Sequence, residues 1–281
     1  MSMFLGLMAT LFIGASRPEP TTQPADLHTQ LMLSTFKLAN PESTGTSFVL
    51  CRPLPGEPSR KQYILVSAEH AFSKMKGDKA TLLLRKDEGN DSYEKRPLTL
   101  TVRKTGKDLW TRHPTQDVAV MVITPPPDAP IPAPSVDLLA DDAELKKYEI
   151  HPGDLLHSMG YPHANQFSAG EEGFSVVRLG CLASFPLLPT RERHTFLVDF
   201  NVFEGDSGGP VYLCETNRWY NGKAHSGPTG LILGVVSGQH WLNEDFKAVY
   251  QSATFHQRLG LAIVVHASAV KEAIDLLPSE P

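Results

Sequence analysis

Several things are scarce in this sequence. Its 281 residues hold three cysteines, Cys51, Cys181 and Cys214. The number is odd and there is no CxxC spacing, so a zinc site is not expected. One disulfide with a free thiol, or three buried thiols, both stay open. The 11 histidines include no HExxH and no ligand cluster, so no metal or cofactor is implied. A formal net charge of −5, with no basic run interleaved with aromatics, argues against nucleic acid as a partner. No apolar run reaches the roughly 20 residues of a membrane-spanning helix.

The longest uncharged apolar run is Met3–Ala15, "MFLGLMATLFIGA", 13 residues ending in small side chains and followed by "SRPEPTTQP". No Lys or Arg precedes it. It reads as a secretory leader over residues 1–16, cleaved near Ala15, with no following Cys to suggest lipid attachment. The expected location is therefore outside the cytoplasm, periplasmic or secreted, with no integral membrane segment once the leader is removed.

Turn formers are abundant, with 21 Gly and 23 Pro, while 41% hydrophobic and 20% charged residues fit a globular chain. Residues 17–41 read as a spacer, a short helix at Asp26–Leu33 with Leu27, Leu31 and Met32 as its apolar set, and a short strand-like run "STFKLA". Short strand-like runs follow, among them "GTSFVLCR", "KQYILVSAEHA", "ATLLLRK", "PLTLTVRKT" and "DVAVMVIT". The segment "TPPPDAPIPAPS" at 124–135 carries six prolines, which excludes a helix interior or a central strand. A second strand series comes after it: "DLLHSMGYP", "FSVVRLGCLAS", "HTFLVDF", "GPVYLCE", "LILGVVSGQ" and "GLAIVVHA". Then "SAVKEAIDLL" reads as a helix with Ser268 as N-cap and Val270, Ile274 and Leu277 on one face. The expected fold is all-β: two packed six-stranded antiparallel barrels, residues 42–123 and 148–267. A Pro-rich linker at 124–147 joins them, and a helix with its tail closes the chain at 268–281.

Three short motifs suggest chemistry. "ILVSAEHAF" places His70 after an apolar strand, "TQDVAVMVI" places Asp117 before another, and "GDSGGP" carries Ser207 among glycines. A serine attacks a carbonyl only with a base in reach and a third group that orients the base. Each residue alone has a bland reading, as a half-buried histidine, a turn aspartate or a tight turn. The three in this order are far more specific. With Ser207 as nucleophile, the N–H groups of Gly205 and Ser207 would face the developing oxyanion. Gly208 and Gly209 would let the chain turn straight back into "PVYL".

These motifs resemble those of the chymotrypsin-fold serine peptidases, and most of all the bacterial Deg/HtrA branch. The likeness runs over residues 42–278 through "TGTSFVL", "YILVSAEHAF", "DVAVMVI", "GDLLHSMGYP", "GDSGGPVYL", "GVVSGQ" and "GLAIVVHASAVKEAI". It includes no PDZ-type peptide-binding domain, and the usual alanine before the histidine is Glu69. The resemblance implies a His70–Asp117–Ser207 triad acting on protein or peptide substrates. It implies Asn201 at the floor of the main pocket, uncharged and so unsuited to Arg or Lys, with Val202, Phe203 and Ile263–Val265 as apolar walls for small or medium aliphatic side chains. Ser237, Gly238 and Gln239 resemble the segment that pairs with an extended substrate. Asp206 falls where that family's salt-bridge acceptor stands, and no activation-cleavage motif precedes residue 42.

Two competing readings exist. "GDSGG" also fits the nucleophile elbow of α/β-hydrolases, with His256 or His266 as base, but that fold needs a helix straight after the serine. A catalytically silent binding module on the same barrels is the other.

Overall fold

Alternation along the strands decides how this chain packs. In Phe48-Val49-Leu50, Ile64-Leu65-Val66 and Val118-Ala119-Val120 every residue is buried. Successive strand side chains point to opposite faces, so such runs require both faces of a sheet to be covered. The computed structural model, which describes residues 26–54, 57–163, 171–248 and 251–278, meets that requirement. The expected leader (1–16), the spacer as far as residue 25 and the last three residues lie outside the described residues.

Helix α1 (Leu27–Ser34) opens the described chain, with the Asp26 side chain accepting the Thr29 N–H at 2.9 Å. Strands β1 (Thr35–Ala39), β2 (Thr44–Leu54) and β3 (Glu57–Ser67) follow. Next come a short helix α2 (Glu69–Ser73), β4 (Lys79–Gly89), β5 (Ser92–Thr101), a tiny hairpin of β6 (Arg103–Lys104) and β7 (Lys107–Asp108), β8 (Thr111–Arg112) and β9 (Ala119–Ile123). Seven of these form one antiparallel sheet in the order β5-β4-β1-β2-β3-β9-β8. After the linker and α3 (Asp142–Lys147), the second half contains β10 (Leu155–Gly160), β11 (Val176–Cys181), α4 (Thr190–Arg193), β12 (Thr195–Asp199), β13 (Pro210–Tyr220), β14 (Lys223–Ala248), β15 (Gln251–His266) and α5 (Ala267–Asp275). Its six-stranded sheet runs β11-β10-β13-β14-β15-β12. The chain is thus all-β, two packed antiparallel sheets of barrel-forming size with a C-terminal helix, as expected. The first sheet has seven strands where six were expected, and its β1 falls on the run "STFKLA", ahead of the expected barrel boundary at residue 42.

Each sheet has its own core, and a third core lies between them. Val49, Leu65 and Ala119 face the first core with Phe36, Phe72 and Leu82. Their neighbours Phe48, Leu50, Ile64, Val66, Val118 and Val120 face the opposite way, onto Tyr212, Ile232, Val235 and Val265 of the second sheet. Val211, Leu213, Leu231, Leu233 and Val264 then fill the second core. The linker is stitched to both halves: Cys51 donates its N–H to Pro134 O at 2.8 Å, and Ala140 donates to Ile232 O at 2.8 Å. All three cysteines are free thiols, Cys51 buried and the others half-buried. None of the helices among the described residues is long and apolar enough to cross a membrane.

Two details depart from the sequence reading. The cap of α5 is His266, not Ser268, because β15 runs without a loop into the helix and its last residue falls on the cap position. Beyond Gln239 and Ala262, β14 and β15 continue as a two-stranded arm paired from Trp241↔Arg258 out to Ala248↔Gln251.

His266 has a further consequence. Its ring is 2% exposed, stands 4.8 Å from the Phe196 ring, and its Nε2 has no partner among the described residues. Burial pushes its pKa down to about 4. The unfolded chain therefore binds a proton near pH 6.5 that the folded chain refuses until about pH 4, so stability is full above that window and falls as pH drops through it. The expected loss between pH 7 and pH 4 is about 3 kcal/mol. Urea unfolding across that range should show the slope, and His266→Phe should remove most of it.

Candidate active site

The three chemical motifs arrive from different elements and meet at one cleft. Strand β3 ends at Ser67, and the chain turns at once into α2, which carries His70 rather than leaving it on the strand. Asp117 stands two residues before β9, in the turn where Val118 N–H bonds Gln116 O at 2.8 Å. Ser207 lies in the turn that feeds β13. A cavity of about 360 Å³ is lined by His70, Ser207, Gly205, Phe203, Gly238, Gln239 and Trp241, among others.

The Asp117 carboxylate collects three donors. Oδ1 accepts the His70 backbone N–H at 2.9 Å, while Oδ2 accepts from His70 Nδ1 at 2.7 Å and from Ser237 Oγ at 2.5 Å. Burial alone would raise its pKa, but the bonds and charge of His70, together with the Ser237 hydroxyl, outweigh that and hold the carboxyl below its ordinary value. An ionised Asp117 fixes the imidazole with Nδ1 protonated and Nε2 free to accept. Ser207 Oγ donates to the Ser237 carbonyl at 3.4 Å, and no hydrogen bond joins it to His70 among the described residues.

The glycines now have a physical reason. Gly205 has φ +97° and Gly208 φ +91°, both in the region that side chains rarely adopt. A Cβ on Gly208 would also lie 2.1 Å from Thr46 O and 2.3 Å from Ser67 Oγ. The Ser207 turn is thus pressed against the first sheet. Thr46 holds it there: its N–H bonds Ser207 O at 2.8 Å and its Oγ1 bonds Gly205 O at 2.7 Å. The N–H groups of Gly205 and Ser207 have no partner among the described residues, so both are available to an incoming oxygen.

Asp206 explains how the turn keeps its shape. Its side chain is almost wholly buried, pairs with Arg178 Nη1 of β11, and accepts the Phe203 N–H at 2.8 Å. Burial pushes its pKa up, opposed by Arg178. Arg178→Met leaves that carboxyl without a counter-charge, so a destabilisation of about 3–5 kcal/mol is expected near pH 7. A raised carboxyl pKa favours folding at low pH, so the deficit should shrink in urea melts near pH 5. A deficit independent of pH would mean that Arg178 acts by packing alone.

Of the expected substrate-contacting residues, Gly238 and Gln239 line the cleft, and the Ser237 hydroxyl donates to Asp117. Gln239 Oε1 is buried without a partner among the described residues. Asn201 is exposed and is not among the cleft's lining residues, Val202 and Phe203 line it, and Val264 belongs to the second core. The elbow alternative fails on geometry: strand β13, not a helix, follows Ser207, and His256 sits on the exposed arm. Sequence reasoning missed Thr46 and Arg178, whose partners are more than 25 positions away and leave no local signal.

No family model matches the chain, and no curated protein matches it. Solved structures of similar shape exist at low identity. An inactive serine-to-alanine mutant of Rv3671c from M. tuberculosis H37Rv is 18% identical, with 92% of this chain and 94% of that chain covered and a TM-score of 0.46. The serine protease of a human pathogenic astrovirus is 15% identical, with 83% and 88% covered and a TM-score of 0.39. The protease Anisep from Arthrobacter nicotinovorans is 12% identical, with 87% and 94% covered and a TM-score of 0.48.

Proposed function

We infer that the protein is a serine endopeptidase that cleaves exported or unfolded proteins through an acyl-enzyme. The observation that carries this reading is the Asp117–His70 pair set beside Ser207 in one cleft, with the amides of Gly205 and Ser207 unpaired. Ser207 Oγ attacks the scissile carbonyl carbon and its proton passes to His70 Nε2. The carbonyl oxygen takes the negative charge and meets the two amides. The C–N bond breaks as His70 returns the proton to the leaving amine. Water, activated by the same imidazole, then hydrolyses the ester. Productive attack requires Ser207 to turn from the Ser237 carbonyl toward His70, a tightening that substrate binding commonly supplies. The location follows the Met3–Ala15 run.

The Ser207–Ser237 hydrogen bond also favours a second reading, a silent binding module whose hydroxyl stays parked. A fluorophosphonate probe separates the two. The expected result is a covalent label mapping to Ser207, with hydrolysis of unfolded casein. A folded protein that takes no label supports the module.

A further inference from the structure

The cleft has a cation at its edge that the triad does not use. Arg258 of β15 stacks over two rings that line the cleft, with its guanidinium carbon 4.3 Å from the Phe203 centroid and 5.4 Å from the Trp241 centroid. Phe203 also carries Arg178 at 5.1 Å, but that charge is spent on Asp206. Arg258 makes no ion pair and no hydrogen bond among the described residues, and it is exposed. The acids of the arm are engaged elsewhere: Asp245 accepts from Thr254 at 2.9 Å and Glu244 from Gln257 at 2.7 Å.

We propose that Arg258 is a specificity-determining residue, and that the cleft selects polypeptides placing a carboxylate side chain against the Phe203–Trp241 end. This rests on the peptidase reading and replaces the aliphatic preference expected from Val202, Phe203 and Ile263–Val265. The aromatic faces hold the guanidinium plane without satisfying its N–H groups, which stay free for a planar carboxylate. Stacking also restricts the side chain beforehand, so less entropy is lost when the acid binds. Glu42, Glu204 and Lys74 line the same cleft, so away from Arg258 two acids outnumber one base and an anion gains little there. Selectivity therefore comes from where the stacked guanidinium is held rather than from a basic surface.

The test uses extended blocked peptides in which each position in turn is Glu or Gln. Binding is measured by tryptophan fluorescence to the Ser207→Ala chain, and cleavage is measured with the parent. At one position, Glu should be preferred by at least about tenfold in both readouts, and the preference should fall with added salt. Arg258→Gln should bring the ratio close to one, Arg258→Lys should keep part of it, and Arg258→Glu should turn it toward Lys peptides. A Glu:Gln ratio near or below one at every position overturns the proposal even if casein is cleaved. Selective binding without fluorophosphonate labelling of the parent would uphold the proposal for Arg258 and remove the peptidase reading.

Discussion

Casein hydrolysis should fall by a factor on the order of 10⁶ in kcat when Ser207 becomes alanine. The variant should keep the parent's circular dichroism and unfolding midpoint. Ser207 contributes one hydroxyl, and its hydrogen bond to the Ser237 carbonyl is long at 3.4 Å, so little stability depends on it. The turn is held instead by backbone and neighbours: Gly208 N–H to Val236 O at 2.7 Å, Thr46 N–H to Ser207 O at 2.8 Å, and the Asp206–Arg178 pair. Removing the hydroxyl leaves all of them in place, so the loss should fall on the chemical step and not on substrate affinity. What remains should be a residual rate from the amides of Gly205 and Ser207 and from binding, roughly 10³–10⁴ above water. A variant that still cleaves casein at the parent's rate would move the nucleophile elsewhere and remove the assignment of His70 as its base.

Legibility in the sequence followed the range of each interaction. The strands of both cores could be read because their apolar runs are local, and "GDSGGP" could be read because positive φ and close backbone approach demand glycine within the motif itself. His70 and Asp117 were legible from their position at the ends of apolar strands, although α2 lifts His70 off β3. The double role of the substrate-like segment was not legible: Ser237 turns its hydroxyl to Asp117, and that contact spans 120 positions. Thr46 looks like any strand threonine until the second sheet is laid beside it. The arm beyond Gln239 escaped for another reason. Its pairs, such as Asn243 with His256 and Glu244 with Gln257, are held across the ribbon with solvent on both sides, so burial imposes no apolar alternation.

Asp117→Asn is the sharper test of how the imidazole is oriented. In the parent, Oδ2 accepts from His70 Nδ1 and from Ser237 Oγ, while Oδ1 accepts the His70 backbone N–H. Asparagine has a single acceptor oxygen, and two orientations of its amide compete. With the amide nitrogen at the Oδ1 place, two donors face each other and the half-buried His70 N–H loses its partner, at a cost of about 1–3 kcal/mol. With the nitrogen at the Oδ2 place, the His70 N–H stays bonded, Ser237 turns its hydroxyl to accept, and Nδ1 must become an acceptor. The second orientation satisfies every group and is the one expected. It moves the imidazole proton to Nε2, where it blocks uptake of the Ser207 proton. The predicted loss is about 10⁴ in kcat with an intact fold and little change in KM. Ser237→Ala, in contrast, removes one donor of three and leaves Nδ1 protonated, so its effect should stay within roughly tenfold, the scale of one hydrogen bond. Steady-state kinetics on one peptide substrate distinguish the two. Equal losses for both variants would mean that Asp117 acts as one more acceptor in the network; a gap of several hundredfold would assign the orientation of His70 to its charge.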